Sequence, residues 1–191
     1  GTSFPVEYTS TPIYEENCLV GAVVTFSDIT ERKKAEEALT ESEAKFRVLF
    51  ESSQDALMTL APPSWKFTSG NPATVKMFAT KDEADFMSYE PWKLSPDRQP
   101  DGKPSPQKAK EMIETAMLNG SHFFEWRHKR ANGEEFPATV LLTKIGLGNQ
   151  AILQATVRDI TEQKRLGEEV HRRLRELEVF YKASVSREER I

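Results

Sequence analysis

Over residues 1–27, β-branched and aromatic side chains flank a polar break: residues 4–11, then Glu15-Glu16-Asn17, then residues 19–26, the pattern of a β-hairpin. A lone hairpin is marginal in water, so this one needs a surface to pack on. From Asp28 the period changes. Residues 32–50 lack Gly and Pro and set Ala35, Leu39, Phe46 and Leu49 at steps of 4, 7 and 3, a heptad-like seam on a charged helix. Asp28 with Glu31 is read as the reciprocal capping pair that starts this helix, and Thr40-Glu41-Ser42-Glu43 as a candidate interruption.

Shorter elements follow. Residues 56–60 and 65–68 read as strands on either side of Pro62-Pro63. Asn71-Pro72 offers a cap followed by a proline at the first helical position, predicting a helix over 73–79. Residues 80–104 are expected to be irregular because Pro91, Pro96, Pro100 and Pro104 forbid a long element. The next helix, over 107–118, has Ala109, Met112, Ile113, Ala116 and Met117 on one face and stops at Asn119-Gly120. Strands are predicted over 121–130, 136–145 and 151–158, with turns at Asn132-Gly133 and 146–149. A second charged helix runs to the end. In it Val170, Leu174, Leu177 and Tyr181 step by 4, 3 and 4, a dimeric coiled-coil seam whose alternative is a solvated single helix.

The chain repeats itself. Gly1-Thr2-Ser3-Phe4-Pro5 and Asp28-Ile29-Thr30-Glu31-Arg32-Lys33 return as Gly133-Glu134-Glu135-Phe136-Pro137 and Asp159-Ile160-Thr161-Glu162-Gln163-Lys164. The offset is 132 at Ile13 and Ile145 but 131 at Thr25 and Thr156, so one residue is lost between them. A repeat defines a structural unit, and the first copy starts inside one. The expected organisation is a truncated domain's terminal hairpin (1–27), a linker helix (28–45), one complete domain (46–159) and a terminal linker helix (160–191).

Composition narrows the function classes. A net charge of −4 with interspersed basic residues argues against nucleic-acid binding. No apolar run reaches the roughly 18 residues of a membrane span, and the single Cys18 excludes an internal disulfide, so a cytoplasmic location is expected.

The order of elements resembles the PAS fold, a sensory module of bacterial signalling proteins. Gly120, Phe124-Glu125-Trp126 and the run from His128 to Pro137 are similar to that family's motif across its last hairpins. Asp159-Ile160-Thr161-Glu162 is similar to its Asp-x-Thr exit, and residues 42–56 to its approach to the first strand. The resemblance covers 42–164, and 1–33 resemble the last strands and exit of a preceding copy. It implies an α+β fold: a five-stranded antiparallel sheet with short helices on one face, flanked by long linker helices. The segment 173–190 is similar to connectors in sensor histidine kinases, which implies a multi-domain bacterial or archaeal kinase with neighbouring PAS and output domains.

For chemistry, the resemblance points to the cavity between sheet and helices. Its candidate walls are Met58, Phe67, Val75, Phe78, Met112, Ile113, Phe124, Trp126, Val140 and Leu153, each of which could equally be plain core. The cofactor is unidentified. Haem-binding members commonly take an axial His from the long helix, and 107–118 has none; Met112 and Met117 read as core packing. Flavin-bonding members need a Cys in the helix after the second strand, and 71–79 has none. Non-covalent flavin stacking on Trp65, Trp92 or Trp126 stays open. His122 and His128, about 20 Å apart at about 3.3 Å per residue, cannot share a metal, and all three histidines are expected to be solvated. No phosphate loop, nucleophile elbow or metal cluster marks an enzyme. The relay residues are Asp28, Thr30, Asp159 and Thr161, tying last strand to outgoing helix, or simply capping it. Two readings stand: a sensor that binds a small ligand and signals through the helix after Asp159, and a ligand-free dimerising spacer that relays torque. A homodimer through the linker helices is expected in both.

Overall fold

The computed structural model describes residues 3–147 and 150–188. The chain folds as two compact units, one ending at Leu49 and the other beginning at Phe50. In the first, β1 (Val6–Glu15) and β2 (Cys18–Asp28) pair antiparallel through Glu16-Asn17, whose φ values of 45° and 66° make the mirror-image turn that suits a two-residue hairpin. Ile13 pairs with Gly21 and Tyr14 with Leu19, so Val20 is an extra, unpaired residue in a β-bulge. This bulge accounts for the residue lost between the two copies, because Ile145 to Leu147 pair with Ile152 to Gln150 without a skip. Every residue of β1 and β2 is exposed.

Helix α1 (Thr30–Ser52) runs unbroken. The expected interruption at Thr40 is absent because its hydroxyl donates to Glu36 O (2.8 Å) inside the helix, and Lys45 pairs with Glu41 one turn away (2.7 Å).

The second unit is an α+β fold. β3 (Ala56–Ala61), β4 (Lys66–Gly70), β5 (Ser121–Lys129), β6 (Glu135–Leu147) and β7 (Gln150–Asp159) form one antiparallel sheet in the order β4-β3-β7-β6-β5. Alternation in β3 buries Ala56, Met58 and Leu60; in β6 it buries Ala138, Val140 and Leu142, and in β7 Leu153, Ala155 and Val157. The predicted turn at 146–149 lies partly outside the described residues. Helices α2 (Pro72–Phe78), α3 (Glu83–Ser88) and α4 (Ser105–Asn119), with a 3-10 turn at Pro91–Leu94, pack over that apolar face. Gly120, at φ 85°, ends α4 in the left-handed conformation.

Helix α3 and the 3-10 turn correct the expectation of an irregular 80–104. The prolines start at 91, which leaves room for six helical residues, and the Asp82 carboxylate caps them by accepting from Asp85 N (2.8 Å). The consequence is a core residue: Phe86 is fully buried, 4.4 Å from the Phe67 ring and 5.7 Å from Phe78. A Cβ on Gly70 would meet the Phe86 ring at 2.9 Å, so this position needs glycine.

Candidate functional site

Between the sheet and the helices lies a cavity of about 70 Å³ with an almost wholly apolar lining. Met58, Phe67, Phe78, Met112, Ile113, Phe124, Trp126 and Val140 line it, joined by residues of the sheet, α4 and the 3-10 turn that were not anticipated, including Leu60, Leu94, Ala109 and His128. Val75 and Leu153 do not. On α2 the buried face is Thr74 and Phe78, four residues apart, and Val75 is turned about 100° from Thr74 towards a groove with Pro72 and Glu83. Leu153 is wholly buried opposite Leu60 on β3 and packs as core.

The two-residue period of β5 places His122, Phe124, Trp126 and His128 on one face, as a ladder of rings with centroids 5.2, 5.8 and 6.5 Å apart. His122 Nε2 sits 3.3 Å from Met112 Sδ. His128 corrects the expectation of solvated histidines. The residue keeps some surface, but Nε2 is closed off from solvent and, among the described residues, has no hydrogen-bond partner. Phe78 meets the ring edge-on at 5.1 Å and Phe136 stacks on it at 5.6 Å. Burial pushes the imidazole pKa down to about 4, against the weaker pull of Leu94 O and the Asp159 charge, so the ring is neutral at pH 7. Nδ1 lies 3.3 Å from the Leu94 carbonyl, which can only accept; Nδ1 therefore carries the proton and Nε2 presents a lone pair.

The polar groups around the cavity are otherwise tied. Trp126 Nε1 donates to Ser95 Oγ (2.9 Å). Buried Gln99 exchanges bonds with the β5 backbone, accepting from Arg127 N (2.9 Å) and donating to Arg127 O (3.1 Å) and Ser105 Oγ (2.9 Å). Asn71, fully buried, does more than cap α2. Its Oδ1 accepts from Leu57 N (3.0 Å), Thr74 N (3.0 Å) and Thr74 Oγ1 (2.8 Å), while Nδ2 donates to Phe50 O and Asp55 O (both 3.0 Å).

The two exits share one geometry. Asp28 Oδ1 accepts from Thr30 N (2.9 Å) and Thr30 Oγ1 (2.6 Å); Asp159 Oδ1 accepts from Thr161 N and Oγ1 at the same distances. Ile29 N donates to Pro5 O (3.1 Å), and Ile160 N to Pro137 O (3.0 Å). This corrects the reciprocal capping pair: α1 and α5 (Thr161–Glu188) begin two residues after the aspartate, at the threonine it holds. Glu31 and Glu162 turn instead to Lys34 (3.1 Å) and Arg165 (2.6 Å).

Asp159 has a further partner that sequence reasoning did not assign a role. Arg130, three-quarters or more buried, donates from one nitrogen to Asp159 Oδ2 (2.8 Å) and from another to Met77 O at the end of α2, and lies 4.1 Å over the Phe136 ring. Next to it Ala131 N donates to Phe78 O (2.8 Å). Partial burial raises the Asp159 pKa, but the bonds from Thr161 and Arg130 outweigh it and hold the carboxyl below the usual carboxylate range. The advance signals for Arg130 were its place in the run from His128 to Pro137 that resembles the family motif, and its position two residues before the Asn132-Gly133 turn.

On α5, Val170, Leu174, Leu177 and Tyr181 are all exposed. Arg165 and Arg173 both reach Glu169, at 3.9 and 2.7 Å. Among the described residues no helix is long and apolar enough to cross a membrane, and no cluster of His, Cys, Asp or Glu could hold a metal ion.

A family model described as PAS domain matches residues 54–162. Among solved structures, the chain is similar to a PAS domain of an HTR-like protein from Haloarcula marismortui, with 21% identity, a TM-score of 0.52 and coverage of 67% of this chain and 99% of that one. It is similar to a PAS domain from a two-component sensor histidine kinase (21%, TM-score 0.50, 63% and 98% covered) and to one from Colwellia psychrerythraea (16%, 0.53, 65% and 98%). These likenesses bear on the fold alone. Among curated proteins nothing matches.

Proposed function

The chain belongs to the PAS domain family, and from that premise we propose that residues 46–159 are a sensory module that couples a small ligand in the apolar cavity to α5. The observation that carries this reading is the position of Arg130. Phe78 is a wall of the cavity; its carbonyl and that of Met77 are both held by the β5–β6 connection, and the same arginine grips Asp159, which holds Thr161 at the start of α5. A ligand that moves α2 displaces a partly buried charge-assisted bond at the root of the outgoing helix. It can shift α5 only by its differential affinity for two arrangements of that contact.

In the same reading α5 pairs with a second copy along Val170, Leu174, Leu177 and Tyr181. The hairpin 1–27 closes a preceding PAS domain, residues 28–45 link it to this one, and 160–191 lead to an output module. The whole works in the cytoplasm as a sensor histidine kinase of a bacterium or archaeon. Exposed apolar side chains at heptad spacing beside intrahelical Arg–Glu pairs support the pairing; the duplicated exit supports the serial arrangement.

One observation favours the second reading, a ligand-free spacer: the cavity is about 70 Å³, under half the roughly 150 Å³ that takes benzene. Native mass spectrometry of the purified chain reads both points. The sensor reading expects a dimer that carries added small-molecule mass and becomes monomeric on Leu174→Glu. A dimer without added mass that gains none from added small ligands favours the spacer, and a monomer at all concentrations removes the pairing.

A further inference from the structure

We propose that His128 is the polar anchor of the cavity and that its ligand is a small neutral molecule with an apolar body and one O–H or N–H donor. This rests on the sensory reading above. Of the lining residues, only His128 and Trp126 carry polar side-chain atoms, and Trp126 Nε1 is already engaged by Ser95. Nε2 of His128 is the one left over: closed off from solvent, without a hydrogen-bond partner among the described residues, and on a side chain that lines an otherwise apolar space. Buried polar atoms in folded proteins are nearly always bonded, so an orphan acceptor on a cavity-lining side chain marks the point where a ligand's donor belongs.

The protonation state sets the ligand's chemistry. With Nδ1–H turned to the Leu94 carbonyl, Nε2 accepts, which selects a hydroxyl or amine hydrogen and rejects a carbonyl or carboxylate. The lining contains no charged side chain, so an ionic ligand would enter without compensation. The other charges near the ring are not among the lining residues: Asp159 and Arg130 are bonded to each other at 2.8 Å, and Lys108 Nζ lies over Trp126, 5.7 Å from the ring centroid. Size is limiting at about 70 Å³, but Met58 and Met112 are unbranched and adapt to a ring-sized guest more readily than aromatic walls do.

The test titrates the 191-residue chain with phenol and with toluene, which match in size and differ in the donor, following cavity resonances by NMR. In the wild type both bind. On His128→Leu the phenol-to-toluene affinity ratio falls about tenfold, the worth of one buried hydrogen bond. Nitrogen-15 spectra of the wild type provide a reading independent of any variant: the Nε2 resonance moves with phenol and not with toluene. An unchanged ratio, an Nε2 that ignores phenol, or an Nε2 that proves protonated overturns the anchor while leaving a ligand-binding cavity. Binding of neither compound overturns both the anchor and the sensory reading on which it rests.

Discussion

Replacing Asn71 by alanine lowers the unfolding free energy by about 4 kcal/mol, measured by urea denaturation. The amide bonds β3, α2 and the carbonyls of Phe50 and Asp55 at once. Without it, Leu57 N loses its side-chain acceptor, Thr74 N loses its cap, and the carbonyls of Phe50 and Asp55 each lose a donor, while the Thr74 hydroxyl keeps Leu57 O and Asp55 O keeps Ser53 Oγ. Each stranded buried group costs about 1–3 kcal/mol, and local relaxation keeps the sum below the full total. Asn71→Asp separates this from simple capping. Aspartate caps a helix as well as asparagine does, so a pure cap would tolerate it and would lose only about 1 kcal/mol to alanine. Here a carboxylate would point at two carbonyl oxygens, and the expected loss is above 2 kcal/mol. A silent aspartate variant would return Asn71 to the role of a cap.

The stability of the wild type falls by about 3 kcal/mol between pH 7 and pH 4 through His128 alone, and His128→Phe removes that component. The ring's pKa is about 4 in the fold against an ordinary value of 6.5. Because the folded value is depressed, the unfolded chain binds the proton first; stability is intact above pH 6.5 and is lost as pH falls towards 4. The groups around the ring do not reverse this. Phe78, Phe136 and Trp126 enclose it, Leu94 O and Asp159 favour the charged form but are outweighed by burial, and Arg130 and Lys108 add no negative charge. Asp55 and Asp159, both held below the usual 3.8 by their bonds, stabilise the fold at higher pH and lose that contribution only as pH falls below the usual carboxylate range. Urea unfolding of wild type and variant at pH 7 and pH 4.5 checks this. Parallel losses in both would place a solvated imidazole at 128.

Most of the architecture was legible because its signals are local. Asn71-Pro72, Gly120, the Asn132-Gly133 turn and the Asp-x-Thr exits each act within a few residues, and alternation assigns the strands' faces. What was hidden depends on distant partners. The six residues of α3 are too few to show a helical period, although Asp82 and Asp85 carried its cap. Val75 and Leu153 satisfy the pattern for an inward residue but not the three-dimensional position of the cavity, which is set by where α2 and α4 lie over the sheet. The two-residue period puts His128 on the same face as His122, yet its burial follows from the 3-10 turn that brings Leu94 over it, 34 residues away. Arg130 reaches Met77 and Asp159 across 53 and 29 residues, and no local pattern encodes that.

The central claim is that the cavity wall and the exit are energetically one unit, connected from Phe78 through Phe136 and Arg130 to Asp159. A double-mutant cycle of Phe78→Leu and Asp159→Ala, read as unfolding free energies of the two single variants and the double variant, measures that connection. The connection from Phe78 to Asp159 implies a coupling of about 1 kcal/mol between the two sites, and additivity within about 0.4 kcal/mol would overturn it.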